Sequence, residues 1–584
     1  MGHSDIELYA QAAAWVASDP DPVTRAELQS LINAGDTATL SERFAAPLPF
    51  GTAGLRGIMG AGLARMNVAN IIRVTAGLGD HLLAEVDDAA NRGVVVGRDG
   101  RIGSDVFARA AAEVLAAKGI RVYWLADPAP TPVCAFVGHH NSTASTVIVT
   151  ASHNPPAYNG YKVYSPRGSQ IVPPQDGQIR DAREAIGPAN EVPRLAFVEA
   201  VRQGLIKVVG PRDFEAYLDA LDAQCLAPVP PPTQVSAVTT ALHGVGHAWV
   251  SEALMRRGHR HIFPVLAQAA PDGRFPTVAF PNPEEDGALD LSFELGREKF
   301  AEVVLANDPD TDRLCVAVRD ASHAEGYVKL TGNQLGILLA DWLLGEGARL
   351  GRLPAKPLVG TTIVSTMQLE QLAAARGAAY GEVLTGFKWI WDLALRLEPV
   401  SGETFVFGFE EAIGYCCGQA VRDKDGVGAA QILMELASTL KAQDLTLLDR
   451  LDQLAEEFGV YSTDQVALVL PGLEGKARIG RLMTALREKA PQTIAGSAVE
   501  RQRDLAGIDA DNAGLPRSNV LTYWLADGSR VVCRPSGTEP KIKCYLETRA
   551  PIGDDGSIDS AQDRADTRLG ELAAWITAFI DTVP

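Results

Sequence analysis

Short apolar runs rich in β-branched residues recur along this chain, and each discharges into a polar loop. Val94-Val95-Val96 runs into Gly97-Arg98-Asp99-Gly100-Arg101, and Val147-Ile148-Val149 into Thr150-Ala151-Ser152-His153-Asn154-Pro155. The pattern returns in VVLANDPDTDR, PLVGTTIVS and FVFGFEEAIGY. Such runs predict buried strands. Helical segments lie between them: Ser104 and Asp105 open one that Gly119 closes, and another is expected over 366–377. Strand, helix, strand at this rhythm predicts layered α/β domains, in which ligands bind at the carboxyl ends of strands. After about residue 455 the character changes. GSRVVCRPSGTEPKIKCYLETRA reads as strand, turn, strand, and 562–581 as a terminal helix. The expected fold is α/β: three related mixed-sheet α/β domains (1–205, 206–325, 326–455) plus a smaller C-terminal α+β domain (456–584).

Charge narrows the partners. Asp and Glu number 72 against 53 Lys and Arg, a net charge of −19. Nucleic acid binding needs a basic footprint, so none is expected. An anionic ligand would need a local cluster of cations and N–H groups working against the overall field. The N-terminal stretch has early acids and no secretory pattern, and Ile6 stands where myristoylation wants Ser or Thr. The densest apolar run, GILLADWLL, is broken by Asp341, so no membrane association is expected. Seven cysteines occur with no C-x-x-C spacing, which predicts reduced, buried thiols in a cytoplasmic protein.

Four loops carry chemistry. In PLPFGTAGLRGIMGAG the spacing Gly54, Gly57, Gly60 misses the dinucleotide fingerprint, and no G-K-[ST] occurs. The loop can still bring Thr52 and Arg56 close to a phosphate. Ser152 and His153 stand on a loop stiffened by Pro155 and Pro156. Asp308, Asp310 and Asp312 alternate in DPDTDR; crowded like charges raise one another's pKa unless a cation relieves them, and hard oxygen ligands suit Mg²⁺. An EF-hand is excluded, since its glycine and glutamate positions hold Arg313 and Arg319. Arg534-Pro535-Ser536-Gly537-Thr538-Glu539-Pro540-Lys541 has the composition of an anion nest. Glu410 and Glu411 end an apolar strand where one could accept hydrogen bonds from sugar hydroxyls, and Lys388 adds a basic group upstream.

TASHNPP with NGYK, DPDTDR, GFEEAIGY and RPSGTEPK occur in this order, and together they resemble the α-D-phosphohexomutase superfamily of phosphoglucomutases and phosphomannomutases. GFEEAIGY followed by RDKDGVGAA looks most like the branch containing phosphoglucomutase-2 and phosphopentomutase. The resemblance implies four domains around a central cleft. It matches Ser152 to the serine that carries the phosphoryl group. Asp308, Asp310 and Asp312 match Mg²⁺ ligands, with a phosphoserine oxygen of Ser152 completing the site. Arg313 matches the arginine that follows them, and His153 and Lys162 match groups that assist proton transfer, lysine only if its pKa is lowered. Arg56 joins this catalytic group. Arg534, Ser536, Gly537 and Thr538 match the grip on the distal phosphate, Glu410 the acid that binds sugar hydroxyls, and Lys388 joins them in substrate binding. Better-known members read E-x-S; here Ala412 removes that hydroxyl. The implied activity is a phosphosugar mutase with Mg²⁺ and glucose 1,6-bisphosphate, or the matching bisphosphate, as activator. Its partners would be small sugar phosphates, and the chain a monomer or weak homodimer. Phosphoglucomutase is the leading activity, with phosphopentomutase or phosphomannomutase as alternatives. A glucose 1,6-bisphosphate synthase and an aspartyl-nucleophile phosphatase acting through Asp308 are more distant ones.

Overall fold

The computed structural model describes residues 3–51, 54–470, 472–488, 490–536, 541–554 and 556–583. Three helices, His3–Ser18, Pro22–Ala34 and Thr37–Phe44, precede the first sheet. That sheet holds β1 (Phe50–Gly51), β2 (Gly54–Ile58), β3 (Val94–Arg98), β4 (Val122–Trp124), β5 (Ser145–Val149), β6 (Tyr158–Tyr164) and β7 (Ile206–Val208), ordered 1-2-6-5-3-4-7. Strands β5, β3, β4 and β7 run parallel; β6 and β2 are antiparallel additions. Val147, Ile148 and Val149 are fully buried, each worth about 1.5–3 kcal/mol by apolar burial.

The second sheet comprises β8 (Ala237–Thr240), β9 (Ile262–Pro264), β10 (Val303–Ala306), β11 (Cys315–Arg319) and β12 (Tyr327–Lys329), ordered 12-11-10-8-9. The third comprises β13 (Pro357–Thr362), β14 (Ala379–Val383), β15 (Thr404–Glu410) and β16 (Gly414–Cys417), ordered 14-13-15-16. Each repeats the theme of a parallel core, β9-β8-β10 or β14-β13-β15, closed by an antiparallel strand. The fourth sheet is wholly antiparallel: β17 (Val460–Val469), β18 (Thr493–Ile494), β19 (Ser497–Asp504), β20 (Leu521–Leu525), β21 (Arg530–Pro535) and β22 (Lys541–Ala550), ordered 17-22-21-20-19-18. Helix Ile558–Thr582 follows it. The expected class, three mixed α/β sheets and a final α+β unit, is what folds. One element differs: Gly54–Ile58, expected as a Gly-rich loop, is a strand because Leu55 and Arg56 pair with Tyr161 and Gly160 of β6.

The seven cysteines are buried and free, as their spacing predicts. Among the described residues no helix is long and apolar enough to cross a membrane. Asp341, which interrupts the apolar run, lies in helix Gly332–Arg349 and accepts from Arg376 Nη2 at 3.0 Å and Arg450 Nη2 at 2.7 Å. The third and fourth units are also tied by buried Glu547, which accepts from Thr366 Oγ1 at 2.5 Å, Met367 N at 2.9 Å and Arg530 Nη2 at 2.7 Å. An ion pair taken out of water stabilises only while both partners remain. Replacing Asp341 by Ala is therefore expected to lower the unfolding free energy by roughly 3 kcal/mol, read as a drop in thermal midpoint with unchanged metal affinity.

Candidate active site

Strand β5 ends in a turn that holds Ser152 at φ 51°, left-handed backbone that a serine adopts only under local constraint. The constraint is visible. Ser152 N donates to Thr150 Oγ1 at 2.9 Å, and Thr150 Oγ1 donates to buried Asp99 at 2.6 Å. The Ser152 side chain is thereby turned toward the loop after β10, where its Oγ donates to Asp308 Oδ2 at 2.8 Å. A hydroxyl and a carboxylate 156 positions apart meet in a buried contact.

Asp308, Asp310 and Asp312 are at most 1 % exposed, and one oxygen of each lies within 4.8 Å of the others. Two segments supply the relieving cations. Lys162 on β6 donates to Asp310 Oδ2 and Asp312 Oδ2, both at 2.8 Å, and Lys424 Nζ lies 3.4 Å from Asp312 Oδ2. Thr131 Oγ1, at the start of helix Thr131–His140, donates to Asp310 Oδ2 at 2.7 Å. Burial drives all three carboxyls up. For Asp310 and Asp312 the lysines overcome it and hold them below the usual carboxylate range, whereas Asp308 is left well above it by burial and its two acidic neighbours. Among the described residues Asp310 Oδ1 and Asp312 Oδ1 are buried without a hydrogen-bond partner. Two orphaned carboxylate oxygens beside a third acid are a hard-oxygen donor set suited to Mg²⁺, so these residues fit the expected cation.

The remaining expected residues can be located around this core. Burial, then Arg313 and Arg56, push the His153 imidazole well below its usual pKa, and its Nδ1 is buried with no partner among the described residues. Lys162 departs from its expectation: burial pulls its ammonium down, but Asp310 and Asp312 hold it above the ordinary lysine value. The lowered pKa that sequence reasoning asked of it is absent. Arg313 lies beside Asp312 and 3.7 Å from Glu284, and its backbone bridges to Gly414 of β16, joining the second and third sheets. A Cβ on Gly414 would sit 2.2 Å from Lys424 Cδ, so only glycine lets that lysine reach Asp312. Arg56 Nη1 donates to Asn154 Oδ1 at 3.0 Å, at the rim of the serine loop. Glu410 ends β15 and accepts from Gly386 N at 2.8 Å; Lys388 is buried, its Nζ 3.3 Å from the Ile171 carbonyl. Arg534 and Ser536 sit at the carboxyl end of β21, where Ser536 N donates to the Lys541 carbonyl at 2.7 Å. Thr52, Gly537 and Thr538 lie outside the described residues. Lys543 on β22 is held below the ordinary lysine value by burial first and by Lys541 next, against the pull of Glu411 and Glu284, so this cation of the fourth sheet lies near acids of the third and second. A cavity of ≈ 330 Å³ lies at that junction, lined in part by Glu284, Glu411 and Tyr545.

Sequence reasoning missed Asp99, Arg101, Thr131 and Lys424. Asp99 and Arg101 stood in a polar loop after a predicted strand, the one signal available. Lys424 lay in RDKDGVGAA, quoted only for its likeness to a branch. Thr131 carried no signal beyond preceding a proline at a helix start.

The whole chain matches known proteins. It fits the phosphoglucomutase/phosphomannomutase alpha/beta/alpha domain I over residues 47–189, domain II over 215–322, domain III over 331–458 and the C-terminal domain over 486–551. A protein named probable phosphomannomutase from Haemophilus influenzae is 38% identical over 488 residues, 83% of this chain and 93% of that one. A phosphopentomutase of Homo sapiens is 36% identical over 98% of this chain and 95% of its own, and a Homo sapiens glucose 1,6-bisphosphate synthase 33% identical over 99% and 94%. By structure, the open form of Paramecium parafusin, labelled a phosphoglucomutase, aligns with a TM-score of 0.66 at 17% identity over 91% of this chain and 96% of that one.

Thr131 holds Asp310 so that one oxygen faces its neighbours in the triad. Groups that orient a ligand in this way are worth about 10–100-fold in metal affinity. Thr131→Val, nearly isosteric, is expected to weaken Mg²⁺ binding by roughly that factor, measured by calorimetric titration of the unphosphorylated protein.

Proposed function

This chain belongs to the phosphoglucomutase/phosphomannomutase family of phosphosugar mutases, and from that premise we propose that it moves a phosphoryl group between the anomeric and terminal hydroxyls of an aldose through phosphorylated Ser152. The contact between Ser152 Oγ and Asp308, inside the carboxylate triad, carries this reading. In the forward half-reaction the Ser152 Oγ–P bond breaks as a sugar hydroxyl forms its own bond to phosphorus. His153 Nδ1, neutral and without a partner, takes the hydroxyl proton, and the proton returns to Ser152 Oγ. Lys162 is the poorer acceptor because its ammonium is committed to two carboxylates. Arg313, and Arg56 at the rim, balance charge on the transferring oxygens, which such a transfer needs more than covalent help. Mg²⁺ held by Asp308, Asp310, Asp312 and a Ser152 phosphate oxygen would supply further charge neutralisation.

The bisphosphate so formed turns over and returns its other phosphoryl group to Ser152. Arg534, Ser536, Gly537 and Thr538 grip whichever phosphate is distal, while Glu410 and Lys388 hold the sugar. A sugar bisphosphate such as glucose 1,6-bisphosphate would prime Ser152 and act as activator. Closure of the fourth unit would keep water from the phosphoserine.

The preferred sugar is a pentose, with glucose and mannose phosphates also accepted. Support comes from Ala412, which leaves out a hexose-contacting hydroxyl, and from the near full-length phosphopentomutase relative. Glucose, the sugar of the leading activity expected from the sequence, becomes the second substrate in this reading. Turnover of ribose 1-phosphate and glucose 1-phosphate, each with and without glucose 1,6-bisphosphate, is the test. Higher kcat/KM on the pentose is expected, and the reverse order refutes the sugar assignment. Bisphosphate accumulating from another phosphoryl donor without isomerisation would identify a synthase instead.

Asp308 as a phosphatase nucleophile is disfavoured, since its Oδ2 is engaged by the Ser152 hydroxyl. Ser152→Ala is expected to abolish both the covalent phosphate, by intact mass, and mutase turnover, by at least about 10³-fold. Retained turnover would sink the phosphoserine reading.

A further inference from the structure

In the serine loop Asn154 N donates to the Ala151 carbonyl at 3.1 Å and Tyr158 N to that of Pro155 at 3.0 Å, while Pro155 and Pro156 contribute no N–H. The Ser152, Asn154 and Pro155 carbonyls converge on one side chain. Arg101 Nη2 donates to the Ser152 carbonyl at 2.5 Å and to the Asn154 carbonyl; Nη1 donates to the Pro155 carbonyl at 3.0 Å and lies 3.4 Å from that of Tyr158. The Arg101 side chain is 1 % exposed. Asp99 sits behind it, 3.3 Å from Nε, and also accepts from Arg101 N, Ser104 Oγ and Thr150 Oγ1. In front, the ring of buried Phe275, from a loop of the second unit, lies 4.9 Å from its Cζ. A Cβ on Gly273 would come within 2.5 Å of Ile102 N, so this covering loop is pressed against the segment that carries Arg101.

We propose that Arg101 is a positioning residue for phosphoryl transfer: its guanidinium, aimed by Asp99 and capped by Phe275, fixes the peptide planes from Ser152 to Pro155 and so the direction of Ser152 Oγ. The inference rests on Ser152 carrying the phosphoryl group. Arginine is needed because only a planar fork of donors can engage several carbonyls at once; a lysine offers one compact ammonium on a flexible stem. The strained Ser152 backbone gives the fork something to oppose, for without it the turn can relax and the hydroxyl swing away from the in-line direction. Misplacement by about 1 Å costs on the order of 10²-fold in rate. Sugar-phosphate binding should be spared, since the buried Arg101 spends its donors on backbone carbonyls.

The test compares steady-state kinetics of Arg101→Lys, Arg101→Ala and Phe275→Leu with Ser152→Ala as reference. Arg101→Lys is expected to lose roughly a hundredfold in kcat, with KM for the sugar phosphate within about threefold of the parent. Folded Arg101→Ala should regain at least about tenfold in kcat on adding millimolar guanidinium, saturably. Phe275→Leu leaves every polar partner in place and should lower kcat by about fivefold at constant KM. Should Arg101→Ala not fold, the other two variants decide. Parental kcat in Arg101→Lys, a loss confined to KM, or a folded Arg101→Ala that guanidinium does not rescue each overturns the proposal. Turnover surviving in Ser152→Ala would instead refute the phosphoserine reading; a dead Ser152→Ala beside a fully active Arg101→Lys refutes only the role given to Arg101.

Discussion

Three carboxylates are buried in reach of one another at the centre of this molecule, and the rest of the structure is arranged so that they can be. Burial alone would protonate them. Lys162 from the first sheet and Lys424 from the end of the third converge on the pair Asp310 and Asp312. Asp308, with a serine hydroxyl and a backbone N–H as its partners, keeps the raised proton affinity. The ionic demand of one loop thus requires three units to stay in contact. At an effective dielectric of about 20, a unit charge 4 Å away is worth about 4 kcal/mol, enough to make their separation costly at the site.

Sheet topology explains why the needed groups arrive together. Ser152, Asp308, Glu410 and Arg534 each lie at or just beyond the carboxyl end of a strand: β5, β10, β15 and β21. In the first three sheets that end is where a parallel core opens a crevice. The bridge from Arg313 to Gly414 joins the second sheet to the third, and the bonds that Glu547 accepts from Thr366 and Met367 join the third to the fourth. The fourth sheet brings Lys543 toward Glu284 and Glu411, beside a cavity of ≈ 330 Å³ that those two acids help to line.

Much of this was legible beforehand because the chemistry-bearing loops are short, local and follow apolar strands. β-branched runs reported the strands, and the alternating Asp residues reported a carboxylate cluster that could hold a cation. What escaped was whatever acts at a distance. Arg101 reads as an ordinary arginine until its guanidinium is seen facing the serine loop, about fifty positions on. Thr131 becomes informative only when Asp310 is found on it, 179 positions away. Lys162 was recognised, but its protonation was not, since that depends on two acids from another unit.

Local pattern and composition by themselves determined the class of fold, the positions of the strand ends and the identity of the groups offered there. Strand formation and turn chemistry are decided over a few neighbouring residues, so they leave a trace in the linear chain. Tertiary structure alone decided which acid has its proton affinity raised, which lysine is spent on neutralisation and which arginine braces the serine. Those outcomes follow from burial and from distances of a few ångströms between segments whose separation along the chain carries no information about their separation in space.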